Sequence, residues 1–115
     1  MGTGSAFTGA LVGFIEASAF LLRRGRSPEE VTDGLLYVVE LLRYAAQPLA
    51  AVIESGRHET DQATVDIFAE GIRRTIEDIQ RTGIDTTMTA AALRKLDAAK
   101  NAGMGSLGTS ALAML

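Results

Sequence analysis

Glu16 is the residue in this sequence with the clearest chemical potential. It is the one charged side chain in the eighteen-residue stretch Ser5 to Leu22, SAFTGALVGFIEASAFLL. A carboxylate in apolar surroundings is costly unless it is paired, protonated or hydrogen-bonded. Carboxyls placed in such surroundings serve as general acids or bases. Glu16 is therefore the candidate catalytic residue. The competing reading is structural, a carboxylate that reaches a rim or meets an arginine. Tyr37, Glu40 and Tyr44 share one helical face with Asp33 and Gln47, and they are the candidate substrate-binding residues, with the two phenols as hydrogen-bond donors. The competing reading of that face is simple solvation.

Other chemistries find little support. There is no cysteine, which removes thiol catalysis, thiolate metal sites and disulfides. The single histidine, His58, lies in the polar loop RHET and reads as a surface residue; one histidine builds no metal cluster. Asp61 and Asp66 are five apart, the wrong spacing for a shared site on a helix face. Thr109 and Ser110 have no base nearby in sequence. GTGSAF at 2–7 fails as a dinucleotide fingerprint, because position 7 is Phe and no strand precedes it. No metal and no cofactor site is expected.

These residues need helices to position them. The expected architecture is all-α, with four main helices plus a short C-terminal one, forming one domain over 1–115. After a flexible lead, Met1 to Gly4, helix 1 runs from about Ser5 to Arg24. One face carries Phe7, Leu11, Phe14, Ser18, Leu21 and Leu22; the other carries Gly9, Val12, Gly13, Glu16, Ala17 and Phe20. A helix apolar on nearly its whole circumference is buried on nearly its whole circumference. A chain of 115 residues has little core for that, so the second face is expected against another subunit. Gly9, Gly13 and Ala17 form a smooth groove for close approach. Gly25 ends the helix.

Ser27-Pro28-Glu29-Glu30 starts helix 2, with Ser27 as N-cap, Pro28 at the first helical position and Glu30 closing a capping box. This helix reaches about Glu54 or Ser55, and Pro48 should kink or break it. Helix 3 is expected from Thr60 or Asp61 to Thr82-Gly83. Its apolar stripe is Val65, Phe68, Ala69, Ile72, Ile76 and Ile79, and its back carries the pairs Glu70–Arg74 and Glu77–Arg81. Helix 4 is expected from Met88 or Thr89 to Asn101, with Ala92, Leu93, Leu96 and Ala99 inward. Gly103-Met104-Gly105 breaks the chain before a last helix over about 106–114.

The net charge of −3 and the lack of a basic cluster beyond Arg23, Arg24 and Arg26 argue against nucleic acid. Helix 1 is just long enough to span a bilayer, but it lacks a basic lead and would place Glu16 near mid-span, so no membrane partner is expected. The compartment stays open in the absence of cysteine, a cytoplasmic one being the simpler expectation.

With the helices laid out, GALVGFIEASAFLLRRGRSPEEV at 9–31, QPLAAVIESGRHETDQATVDIFAEGI at 47–72 and RTGIDTTMTAAALRKLDAAKNAG at 81–103 carry a resemblance. The chain resembles the C-terminal helical domain of NADPH-dependent imine reductases and reductive aminases, of the 6-phosphogluconate dehydrogenase-like superfamily, without the nucleotide-binding domain. The resemblance covers about residues 6 to 103. It implies a reciprocally intertwined homodimer and a substrate cleft shared with a nucleotide-binding domain. The family's proton donor, an Asp or Tyr early in the first helix, falls by spacing from Gly13 at or before Met1.

The expectation is thus a stand-alone helical homodimer binding a small apolar molecule. Its chemistry, if catalytic, would be a cofactor-free cyclisation or isomerisation with Glu16 as acid or base. The alternative is a non-catalytic dimerisation module, or the C-terminal part or partner of an NADPH-dependent imine reductase. In that case the partner is a separate nucleotide-binding protein.

Overall fold

The computed structural model describes residues 2–115. It is all-α: α1 Thr3–Arg23, α2 Pro28–Ser55, α3 Val65–Gln80 and α4 Thr87–Ala99, then a widened turn Lys100–Met104 and a 3-10 helix Thr109–Met114. The lead expected to be flexible is helical from Thr3, and Met1 lies outside the described residues.

α1 ends in a Schellman motif. Gly25 takes the left-handed conformation (φ 88), its N–H bonds to the Leu22 carbonyl, and the Arg26 N–H bonds to that of Leu21. The capping box that starts α2 is present in both directions: Glu30 N–H donates to Ser27 Oγ, and Ser27 N–H to Glu30 Oε1, each across 3.1 Å. Of the kink or break expected at Pro48, the break does not occur: α2 runs through it as one helix. Pro48 leaves the Tyr44 carbonyl without an intrahelical donor. On a solvent-facing helix that group can be hydrated, so a break is not forced.

α3 starts later than expected, at Val65 rather than Thr60 or Asp61. Thr64 takes the capping role, accepting from the Ile67 N–H across 3.3 Å. Its extended backbone also pairs with Gly108 in an isolated antiparallel bridge. Thr60 instead closes a local turn onto the Gln62 N–H.

The core lies between α3, α4 and the C-terminal turns. It contains Val65, Ala69, Leu96, Ala99, Met104 and Ala111, with Leu93, Leu107 and Leu112 packed against it. Two inward assignments are corrected. Phe68 is 46% exposed, and Ala92 is exposed while its neighbour Ala91 is half-buried. Each helix is covered by one partner layer, so its buried stripe is narrower than its apolar stripe. Glu70–Arg74 forms as expected, but Arg81 pairs with Asp78 instead of Glu77, at i,i+3 in the last turn.

The expected burial of α1 on nearly its whole circumference does not occur within the chain. Glu16 is its one buried residue among those described, and Phe7, Leu11, Ile15 and Leu22 are exposed. The face that turns inward is the small-residue one, and a Cβ on Gly9 would lie 3.7 Å from Met88 Cε of α4. α2 buries Val31 alone and exposes Leu36, Val39, Leu41, Leu42, Leu49 and Ile53. A helix of 28 residues is about 42 Å long, close to the 43 Å long axis of the molecule. α2 therefore forms a spine along the domain that the rest of the chain leaves largely uncovered.

Candidate functional site

The flank of α4 satisfies only its first N–H. Thr86, its N-cap, makes no side-chain bond to the first turn, while Asp85 accepts from the Thr87 N–H at 3.4 Å and from the Thr87 hydroxyl at 2.8 Å. The next donors are met from α1. Glu16 Oε2 accepts the Met88 N–H across 2.9 Å, and Glu16 Oε1 accepts the Thr89 N–H at 3.4 Å and the Thr89 hydroxyl at 3.3 Å. Glu16 as a whole is 7% exposed. A helix start leaves N–H groups unpaired and carries partial positive charge, so a carboxylate is well placed there. These contacts account for the burial of Glu16 without an apolar pocket around a free acid, and both of its oxygens already accept hydrogen bonds.

A second polar tie lies two turns further along α1. Arg23 Nη1 donates to the Thr82 carbonyl across 3.0 Å, just past the end of α3. α1 is thus fixed at two points, to the first turn of α4 and to the connection that follows α3.

Tyr37, Glu40 and Tyr44 share a face of α2 as expected. All three are exposed, the tyrosines at 66% and 71%, and none makes a hydrogen bond or ion pair among the described residues. Glu16 spends its bonds on α4, so within one chain no hydrogen bond links the four candidates. The surface depressions lie elsewhere. Ala63, Ile67, Phe68, Gly71 and Ile72 line a wholly apolar one along the outer face of α3. Ile67 and Gly71 were not singled out from sequence. Their signal was an apolar stripe on α3 wider than one core face needs.

His58 is not the surface residue expected. It is 3% exposed, and Nδ1 lies 2.7 Å from Ser110 Oγ, so the chain does bring a base beside Ser110. The pair clips the loop after α2 to the 3-10 helix. Sequence offered no signal for it, since the two residues are 52 positions apart.

The described residues do not fit a dinucleotide on their own. Such a cradle needs a strand, a glycine-rich turn and an open helix N-terminus for the pyrophosphate. Here the one β-type pairing is the Thr64–Gly108 bridge. Three helix starts are already satisfied or flanked by acids: α2 by Ser27 with Glu29 and Glu30, α3 by Thr64 with Asp66, α4 by Glu16. No group of acidic or histidine side chains suited to a metal occurs among the described residues.

Comparison with known proteins gives a consistent picture. A family model described as NADPH-dependent reductive aminase-like, C-terminal domain, matches residues 5–115. Among solved structures, an imine reductase from Pseudomonas sp. is similar with a TM-score of 0.92 at 23% identity, over 98% of this chain and 40% of its own. A reductive aminase from Aspergillus terreus, in complex with NADPH and ethyl levulinate, has a TM-score of 0.86 at 18% identity, over 94% of this chain and 38% of its own. The chain thus spans about two fifths of the length of these relatives. No curated protein sequence matches it.

Proposed function

Since the chain belongs to the NADPH-dependent reductive aminase-like C-terminal domain family, we propose that it is the dimerising, substrate-cleft half of an imine reductase-type enzyme. Two copies pair through α2 and the outer face of α1. The nucleotide comes from a separate domain or protein. The apolar depression on α3 contributes a wall to the cleft for a small, largely apolar substrate.

One observation carries the reading. The chain exposes 7979 Å², whereas a folded monomer of 12.1 kDa is expected to expose about 6000 Å². The surplus, on the order of 2000 Å² per chain, is the size an obligate dimer interface removes. It is apolar where it is largest, on α2 and α1. By length and hydropathy those two helices would also suit a membrane. The ties from Glu16 to α4 and from Arg23 to the α3–α4 connection, together with the family match, favour a protein partner instead.

Sedimentation equilibrium of the chain at micromolar concentration tests the pairing. A dimer mass is expected, and a stable monomer overturns it. Calorimetry with NADPH tests the division of labour. No saturable heat is expected from this chain alone, and micromolar binding would show that it holds the nucleotide itself.

A further inference from the structure

We propose that α2 packs on α2 of a second copy in antiparallel order, held by two reciprocal ion pairs: Glu40 with the partner's Arg43, and Arg43 with the partner's Glu40. This rests on the dimer reading above and adds its orientation and its charge contacts.

Thr32, Leu36, Val39, Arg43, Ala46 and Ala50 follow one another at alternate spacings of four and three along α2, and all six are exposed. That spacing draws one continuous stripe for a facing helix. Arg43 is the stripe's one charge and the one cation of the 28-residue helix. Glu40 stands three residues earlier, on the margin of the stripe. Neither makes an ion pair within the chain among the described residues. A cation in the middle of an apolar stripe loses hydration when the stripe is covered, so the cover has to bring a carboxylate.

A second copy brings one. Around a twofold axis, if one residue meets a second, the second meets the first. With the axis level with Leu41, Thr32 stands opposite the partner's Ala50 and Leu36 opposite the partner's Ala46. Val39 stands opposite the partner's Arg43 and packs on its aliphatic stem. Larger side chains thus fall against smaller ones. Arg43 and the partner's Glu40 lie on the same side of the seam, and along the axis they differ by about one residue, or ~1.5 Å. A parallel pair would instead set Arg43 level with the partner's Arg43, and the acids Glu29, Glu30 and Asp33 level with their own copies, like charge against like. Leu41 itself points to the other flank of α2, which falls to the outer face of the partner's α1.

Sedimentation equilibrium at low and high salt tests the ion pairs. Glu40 and Arg43 are exposed, so the fold of one chain does not depend on them. Glu40→Arg and Arg43→Glu each turn two attractions into two repulsions. Each should weaken the dimer about tenfold at low salt, and less at high salt. The chain carrying both exchanges restores opposite charges across the axis and should return close to the wild-type Kd. If the wild type dimerises and the single variants match it, or the double variant stays as weak as they are, the ion pairs are overturned while the dimer stands. A monomeric wild type overturns both. Orientation is read by a spin label on Asp33→Cys, a unique site because the chain has no cysteine. Eight residues on either side of the axis place the two labels about 24 Å or more apart. Labels much nearer than that overturn the antiparallel order.

Discussion

The Met88 N–H donates to the Glu16 carboxylate across 2.9 Å, although the two residues lie 72 positions apart. A helix cap is usually supplied by the residue just before the helix. Here it comes from the middle of another helix, and the same bond joins α1 to α4. Replacing Glu16 with Ala should therefore cost about 1–3 kcal/mol, because buried N–H groups lose their acceptor. Glu16→Gln keeps one carbonyl oxygen and should cost less. Urea unfolding measures both, and exchange at Met88 and Thr89 should accelerate first. If Glu16→Ala unfolds like wild type, the cap is not what holds α1.

Gly105 lies against the Asp66 carboxylate so closely that a Cβ there would collide with both oxygens. Gly105→Ala should push the exposed Asp66 side chain aside and destabilise the domain by about 1 kcal/mol or less. Asp66→Ala in the same chain should recover part of that loss, and a double-mutant cycle would register the coupling. Additive effects would mean that the two positions do not meet.

Glu30 has its carboxyl held below its ordinary value of 4.5, chiefly by the Ser27 backbone hydrogen bond, with help from the Ser27 hydroxyl and Arg26. A lowered value in the folded chain means that ionised Glu30 favours folding. That contribution is fully present above about pH 4.5 and is lost as pH falls through the folded-state value. Glu30→Gln should flatten the acid limb of α2 helicity followed by circular dichroism. An acid limb identical in the variant would assign it to other carboxylates.

Leu41 is half-exposed at 50% in the centre of α2. On a monomer, Leu41→Glu would change stability by no more than about 0.5 kcal/mol. At a dimer interface it should halve the mass seen by light scattering and remove the dependence of Tm on protein concentration. A mass and Tm indistinguishable from wild type would place the interface elsewhere.

What the sequence revealed follows the range of each interaction. The Ser27–Glu30 box and the Gly25 stop were readable because all their partners lie within a few residues. The start of α3 was misread because Thr64 is selected by its pairing with Gly108, far along the chain, whereas Thr60 and Asp61 offered equally good local signals. Tyr37, Glu40 and Tyr44 were correctly placed on one face, since helical spacing is a local property. Whether that face meets a ligand is not.

The sequence by itself determined an all-α chain, the positions of four helices, and more apolar surface than one small domain can cover. All of these follow from composition and from the 3.6-residue period. The tertiary structure alone decided which face of α1 turns inward, that Glu16 caps α4, and that His58 is buried against Ser110. Each depends on a partner dozens of residues away, and periodicity says which residues share a face but not what that face will meet. Glu16 stood out because a carboxylate was out of place in an apolar run. The reason for it lay at the N-terminus of a helix 72 positions further along the chain.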